Sequence, residues 1–162
     1  MASAPQASET QLQISRMIMS PREKVFEAWT KRALLEKWMC RSSGPAQQTK
    51  YYELDVRPGG RYRLESVTPT GIVYMLEGTY REIRPPEKLV FTWTWTRTPA
   101  GGSPMKENEE TLVTVEFFER GKFTEVILTH EKFSSAEHRD NHERGWKGCF
   151  DTLDGALKAA QA

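Results

Sequence analysis

Three histidines are the side chains of this sequence best suited to proton transfer or metal binding. His130 ends the alternating run Thr124, Val126, Leu128 and His130, which predicts a β-strand whose listed side chains all face the core. A neutral imidazole in that place could orient a ligand or act as a general base. The alternative is a structural histidine, hydrogen-bonded at the end of a strand. No serine, cysteine or carboxylate stands at a spacing that predicts a nucleophile beside it.

His138 and His142 stand four residues apart in a segment with helical character, close to Glu137 and Asp140. Two ligands on one helical face can begin a metal site. The segment is polar all round, however, and acidic residues suit the positive end of a helix. We therefore interpret it as a solvated first turn, and we expect neither a metal site nor a cofactor.

A larger set of apolar and aromatic residues faces inward on the predicted strands and on the last helix. These residues either line a ligand cavity or fill a solid core, and their inward polar groups are few, as in most ligand pockets. The predicted ligand-binding residues are Tyr62, Tyr74, Phe91, Trp93, Trp95, Val115, Phe117, Leu128, His130, Trp146, Phe150 and Leu153.

The closing segment, from Ser134 to Ala160, predicts a long helix that positions several of these residues. Ser134 and Glu137 stand at the spacing of a capping box. Apolar residues then recur at steps of three and four, which places them on one stripe that must be buried. The stripe consists of Trp146, Cys149, Phe150, Leu153, Ala156, Leu157 and Ala160.

The chain before this helix alternates between strand and turn signals. A first strand over 12–19 is followed by a helix in which Ser20 is the predicted N-cap, and Thr30 is predicted to cap a second short helix. Gly78 lies inside a predicted strand, which indicates a bulge or a close backbone approach. The segment 97–110 is predicted to be a loop. Six further strands are predicted at 52–56, 62–64, 72–80, 89–96, 113–117 and 124–130.

Six stretches in this order resemble the family of the activator of Hsp90 ATPase homologue 1-like proteins, within the START/Bet v1-like superfamily. They are SPREKVFEAWT (20–30), LLEKW (34–38), DVRPGGRYR (55–63), GTYREIRPPEKLVFTWTW (78–95), TEVILTHEKF (124–133) and Gly145-Trp146 followed by Leu153. The resemblance implies an α+β helix-grip fold, a curved antiparallel sheet of about seven strands around a long C-terminal helix, with two short helices after strand 1. It also implies a hydrophobic cavity between the sheet and that helix.

Composition excludes several classes of protein. The 162 residues include 23 basic and 22 acidic side chains, whereas a general nucleic-acid binder has a strong basic excess. No apolar run approaches the roughly 18 residues of a membrane span. The start of the chain lacks the features of a secretory signal, and Cys40 and Cys149 show neither disulfide nor zinc spacing. We expect a cytoplasmic protein with a disordered tail over 1–10 and one domain over 11–162.

The function predicted from these observations is the binding of a small hydrophobic molecule, lipid-like or aromatic, by a carrier or sensor. Two alternatives remain open. One is a protein-interaction module related to Hsp90 co-chaperones, with a chaperone or other protein as its partner. The other is an enzyme of the cyclase or hydratase type that acts on a bound hydrophobic substrate. A homodimer is a further alternative for the assembly.

Overall fold

The computed structural model describes residues 10–39, 48–106 and 109–161, without the side chains of 48–52 and 159–161. The elements follow in the order β1 (Gln11–Ile18), α1 (Arg22–Thr30), α2 (Arg32–Trp38), β2 (Gln48–Leu54), β3 (Arg61–Val67), β4 (Val73–Arg84), β5 (Lys88–Thr98), β6 (Met105–Lys106), β7 (Thr111–Arg120), β8 (Phe123–Glu131) and α3 (Ala136–Gln161).

The strands form one curved antiparallel sheet in the order β1-β8-β7-β5-β4-β3-β2, and the short β6 pairs with β5. Strands that are joined by short turns pair with each other. The last strand, β8, pairs with β1, which forms one edge of the sheet, and β2 forms the other edge. The two short helices and α3 pack on the inward face of this sheet. The helix-grip fold is confirmed, with β6 added inside the segment predicted to be a loop.

The inward stripe of α3 is buried from Trp146 to Leu157, as its periodicity predicts, except at Ala156, which is half-buried. The side chain of Ala160 lies outside the described residues. Trp146, Phe150 and Leu153 are 2%, 0% and 0% exposed. Arg16, which interrupts the inward row of β1, reaches this helix instead: its Nη1 lies 2.8 Å from Oδ1 of Asp151, and its guanidinium lies 5.6 Å from the centre of the Phe150 ring. The break in the pattern of β1 is thus a contact with α3.

Two predicted caps of the short helices are wrong. The amides of Lys24 and Val25 both donate to the carbonyl of Pro21, so α1 begins at Arg22 and Pro21 takes the cap position that was predicted for Ser20. The N-cap of α2 is Lys31 rather than Thr30. Thr30 belongs to α1, where its hydroxyl donates to the Phe26 carbonyl at 3.1 Å.

The predicted cap of α3 is wrong by one residue. The helix begins at Ala136, and the hydroxyl oxygen of Ser135 accepts a hydrogen bond from the amide of His138 at 3.2 Å. Ser134 instead places its hydroxyl 3.4 Å from Nδ1 of His138. Two adjacent serines offer the same signal in sequence, and the path of the chain from β8 decides between them.

Gly78 is required by a close approach, as predicted. A Cβ at this position would overlap the carbonyl oxygen of Thr92 and lie 2.6 Å from Cε1 of Tyr62. The Tyr62 hydroxyl donates to that same Thr92 carbonyl at 2.5 Å, and the register of β4 on β5 shifts between Tyr80 and Glu82. Of the two alternatives predicted for Gly78, the close approach is therefore the one that occurs at this residue, and the bulge lies further along β4, between Tyr80 and Glu82.

Candidate functional site

A small cavity lies between the two short helices and strands β2 to β5. We call it the helix-pair cavity. It has a volume of ≈ 20 Å³, which is room for about one water molecule. Its lining consists of Trp29, Leu35, Met39, Leu54, Tyr62, Leu64, Leu76, Tyr80, Phe91 and Trp93.

The lining of this cavity is apolar apart from a few uncharged donors. Nε1 of Trp29 and Nε1 of Trp93 are buried without a hydrogen-bond partner among the described residues. The Tyr62 hydroxyl is occupied by its bond to the Thr92 carbonyl. Burial raises the pKa of Tyr80 well above its usual range, so this phenol stays protonated. The cavity therefore suits a ligand that is mostly apolar.

Only some of the predicted ligand-binding residues reach this cavity. Tyr62, Phe91 and Trp93 line it. Tyr74 and Trp95 lie further along the same sheet, half-buried, with their rings edge to face at 6.3 Å.

The other predicted residues pack in the core around α3 and do not line the helix-pair cavity. The Trp146 ring stacks on that of Trp29, with the ring centroids 5.9 Å apart, and its centroid lies 6.4 Å from that of Phe150. Phe117 meets Trp29 edge to face at 6.1 Å. The buried members of this group are Val115, Phe117, Leu128, His130, Trp146, Phe150 and Leu153.

His130 is fully buried, and both of its ring nitrogens have partners. Nε1 of Trp146 donates to Nδ1 at 3.0 Å, and Nε2 lies 2.7 Å from the hydroxyl of Thr111. An indole N–H can only donate, so Nδ1 must accept and the proton of the neutral ring must sit on Nε2. The Thr111 hydroxyl then accepts from His130 and donates to the Trp93 carbonyl at 3.1 Å.

This arrangement keeps the imidazole neutral. Burial lowers the pKa of His130 well below its usual range, and the neighbouring His142 lowers it further. A second proton on Nδ1 would face the Trp146 N–H, donor against donor. No lone pair of His130 is left for a substrate, so these hydrogen bonds are those of the structural alternative rather than of a general base.

His142 lies beside His130 in the core, a placement that the sequence analysis did not predict. Its ring centroid lies 5.1 Å from that of His130 and 5.0 Å from that of Phe133. The prediction of a solvated first turn is therefore wrong at this position. Nδ1 lies 2.8 Å from the His138 carbonyl and must donate to it, while Nε2 is buried without a partner among the described residues. Its spacing of four from Trp146 was the available signal.

Thr111 was missed for a different reason. It lies between the loop predicted over 97–110 and the strand predicted over 113–117, yet it begins the inward row that continues through Val113, Val115 and Phe117. Extending that alternation by one step would have placed its hydroxyl beside the core. A polar residue at the start of an apolar row is easily read as a boundary.

Within the described ranges, no group of three or more His, Cys, Asp or Glu side chains could hold a metal ion. Cys149 is buried and forms no disulfide with a described residue, and Cys40 lies outside the described residues. None of the described helices is long and apolar enough to cross a membrane.

Comparison with known families decides the affiliation of the chain. The family described as activator of Hsp90 ATPase homolog 1-like protein matches residues 19–158, which is most of the chain and includes the whole helix-pair cavity. The chain belongs to this family. Both the resemblance drawn from the six stretches and the helix-grip fold it implied are confirmed.

Solved structures share the fold of this family member. A protein from Arthrobacter aurescens has a TM-score of 0.78 at 18% identity, with 94% of this chain and 88% of that chain covered. A protein from Chromobacterium violaceum has a TM-score of 0.74 at 20% identity, covering 90% and 96%. One from Rhodobacter sphaeroides has a TM-score of 0.74 at 22% identity, covering 93% of each. No curated protein matches the chain.

Proposed function

We propose that this protein binds a small, mostly apolar molecule in the helix-pair cavity and acts as its carrier or sensor. The observation that carries the proposal is the lining as the described residues form it: ten apolar or aromatic residues and no charged side chain, at the end of the sheet that the short helices cover. Ligand pockets are typically of this composition. Membership of a superfamily whose folds enclose hydrophobic ligands supports the same function.

Binding requires the cavity to widen, because ≈ 20 Å³ does not hold an aromatic ring. We expect the wall of the cavity that the two short helices form to move more easily than the wall formed by the strands. Met39 is the C-cap residue that follows the seven-residue α2, and an unbranched methionine side chain adapts to many shapes. Trp38 holds α2 to α1, since its indole N–H donates to the Ala28 carbonyl at 2.8 Å. The strands opposite are fixed by their ladders, so the ligand enters by displacing Met39 and Leu35.

The other expectations from the sequence remain predictions. They are the cytoplasmic location, the chaperone or other protein partner, the homodimer and the cyclase or hydratase activity.

The test uses α-methylstyrene, a small aromatic hydrocarbon, as the probe. The Met39→Ala variant enlarges the helix-pair cavity, so it should bind the probe more tightly than the wild type does. The matched control is Leu153→Ala, which removes a comparable buried side chain on α3 outside the cavity. Each truncation costs about 2–5 kcal/mol of stability. The dissociation constant is measured by titration calorimetry.

Tighter binding in Met39→Ala, with Leu153→Ala at or below the wild-type affinity, would support the site. Tighter binding in Leu153→Ala alone would move it to α3. If neither the wild type nor Met39→Ala binds α-methylstyrene or its ketone counterpart acetophenone, the proposed function is wrong.

A further inference from the structure

Two tryptophans that line the helix-pair cavity have indole N–H groups without an acceptor in the described part of the chain. Trp29 and Trp93 line the cavity, are 3% and 5% exposed, and bury Nε1 without a partner among the described residues. The indoles of Trp38 and Trp146 differ, because they donate to the Ala28 carbonyl and to Nδ1 of His130. A buried donor without an acceptor costs free energy that a ligand oxygen can recover.

The rest of the lining restricts what can supply that oxygen. Among the described residues, no lysine, arginine, aspartate or glutamate lines the cavity, so a charged ligand group would be buried there without a counter-ion from this part of the chain. The Tyr62 hydroxyl is already a donor to Thr92, and the Tyr80 hydroxyl is a neutral phenol. The cavity therefore offers uncharged donors in an apolar wall.

We infer that the ligand carries a neutral carbonyl group, as in a ketone, ester or amide, on an otherwise apolar skeleton, and that Trp29 and Trp93 donate to its oxygen. A carbonyl oxygen has two lone pairs and can accept from both indoles. A hydrocarbon leaves both donors unpaired, and a carboxylate loses its hydration without gaining a cation. This inference rests on the proposed function and names the class of ligand for the same cavity.

A competing acceptor near Trp93 is Nε2 of His142, which also lacks a partner among the described residues. Its ring centroid lies 6.3 Å from that of Trp93, and no hydrogen bond joins the two side chains. His142 does not line the cavity. If Trp93 pairs with His142 as the protein moves, removing the Trp93 N–H will not change the preference for a carbonyl.

The experiment compares three probes of nearly equal shape: acetophenone, α-methylstyrene, in which a methylene group replaces the carbonyl oxygen, and benzoate. Dissociation constants are measured by calorimetry for the wild type, Trp29→Phe and Trp93→Phe. The readout is the ratio of the α-methylstyrene constant to the acetophenone constant, which a change of cavity size alone moves little. Loss of one buried hydrogen bond should lower this ratio by at least about fivefold.

Trp95→Phe is the matched control. It removes an indole from the same strand, two residues after Trp93, but outside the lining of the cavity. Its ratio should stay within about twofold of the wild-type ratio, because no ligand hydrogen bond is removed.

A fall in the ratio for both cavity variants supports the inference, and a fall for one alone assigns the hydrogen bond to that indole. Binding of both neutral probes with an unchanged ratio in both variants overturns the inference and leaves the proposed function standing. Benzoate binding as tightly as acetophenone overturns the neutral class. Failure of both neutral probes to bind overturns the proposed function and the inference with it.

Discussion

Trp146 on α3 donates its indole N–H to Nδ1 of His130 on β8 at 3.0 Å. Nε2 of the same imidazole bonds to Thr111 on β7 at 2.7 Å, so three elements meet at one neutral ring. These hydrogen bonds fix how α3 lies on the sheet, because the Trp146 N–H must point at Nδ1 of His130. This contact positions α3 next to the aromatic rings that border the helix-pair cavity.

Stability should fall in mild acid because of His130 and His142. Burial is the main cause that lowers the pKa of both groups in the folded protein. Below about pH 6.5 the unfolded chain binds the protons that the folded one excludes, so the free energy of unfolding decreases as the pH falls. Each histidine contributes at most about 1.4 kcal/mol per pH unit. Urea unfolding at several pH values measures the slope.

A matched variant separates the two histidines in that experiment. His142→Asn keeps an amide donor for the His138 carbonyl but does not titrate, so roughly half of the slope should disappear. Glu82 and Glu125 also have lowered pKa values, chiefly through hydrogen bonds to Arg84 and Ser15. They change the free energy of unfolding only at the lower pH at which carboxyl groups of the unfolded chain become protonated. An equal free energy of unfolding at about pH 7 and pH 5 would contradict a neutral buried His130.

The Trp146–His130 pair should show strong coupling in a double-mutant cycle. Trp146→Phe leaves Nδ1 of His130 without a donor and removes ring volume, at a cost of about 2–4 kcal/mol. His130→Leu leaves the Trp146 N–H unpaired in the same way. The double variant removes both polar partners and should cost about 1–3 kcal/mol less than the sum. Denaturant unfolding of the four proteins gives the coupling, and additivity within about 0.5 kcal/mol would refute it.

Two glycine substitutions should have opposite effects. Gly78→Ala forces a methyl group into the Thr92 carbonyl and the Tyr62 ring, and should cost more than about 3 kcal/mol. Gly145→Ala has no atom within 4 Å of its new methyl group and lies inside α3, so it should gain about 0.5–1 kcal/mol. Thermal unfolding compares the two variants. A tolerated Gly78→Ala would show that Tyr62 does not hold the position described for it.

The fold could be predicted because its signals are local. Alternation along β5 and β8 and the three- and four-residue steps of α3 give each element its type and its inward face. Short turns then leave few ways to pair the strands. The exact start of a helix depends on the incoming chain, which is why the caps at Ser20, Thr30 and Ser134 were placed wrongly.

The site was harder to predict because it depends on how elements dock. Phe91 faces inward by the alternation of β5 and Phe150 by the helical stripe of α3, yet the first borders the helix-pair cavity and the second fills the core under α3. Met39 follows a short helix, and nothing local marks it as cavity lining. The polar segment around His142 predicts a solvated side chain. Its burial follows only from the packing of α3 against His130, 12 residues earlier in the chain.

The position of the ligand is the central claim, and the indole N–H resonances of the five tryptophans test it most directly. ¹⁵N-labelled protein is titrated with acetophenone, and the resonances are assigned by Trp→Phe variants. The account predicts saturable shifts for Trp29 and Trp93, while Trp146 keeps its resonance because it remains bonded to His130. Saturable shifts of Trp146 with Trp29 and Trp93 unmoved would place the ligand beside α3 and contradict it.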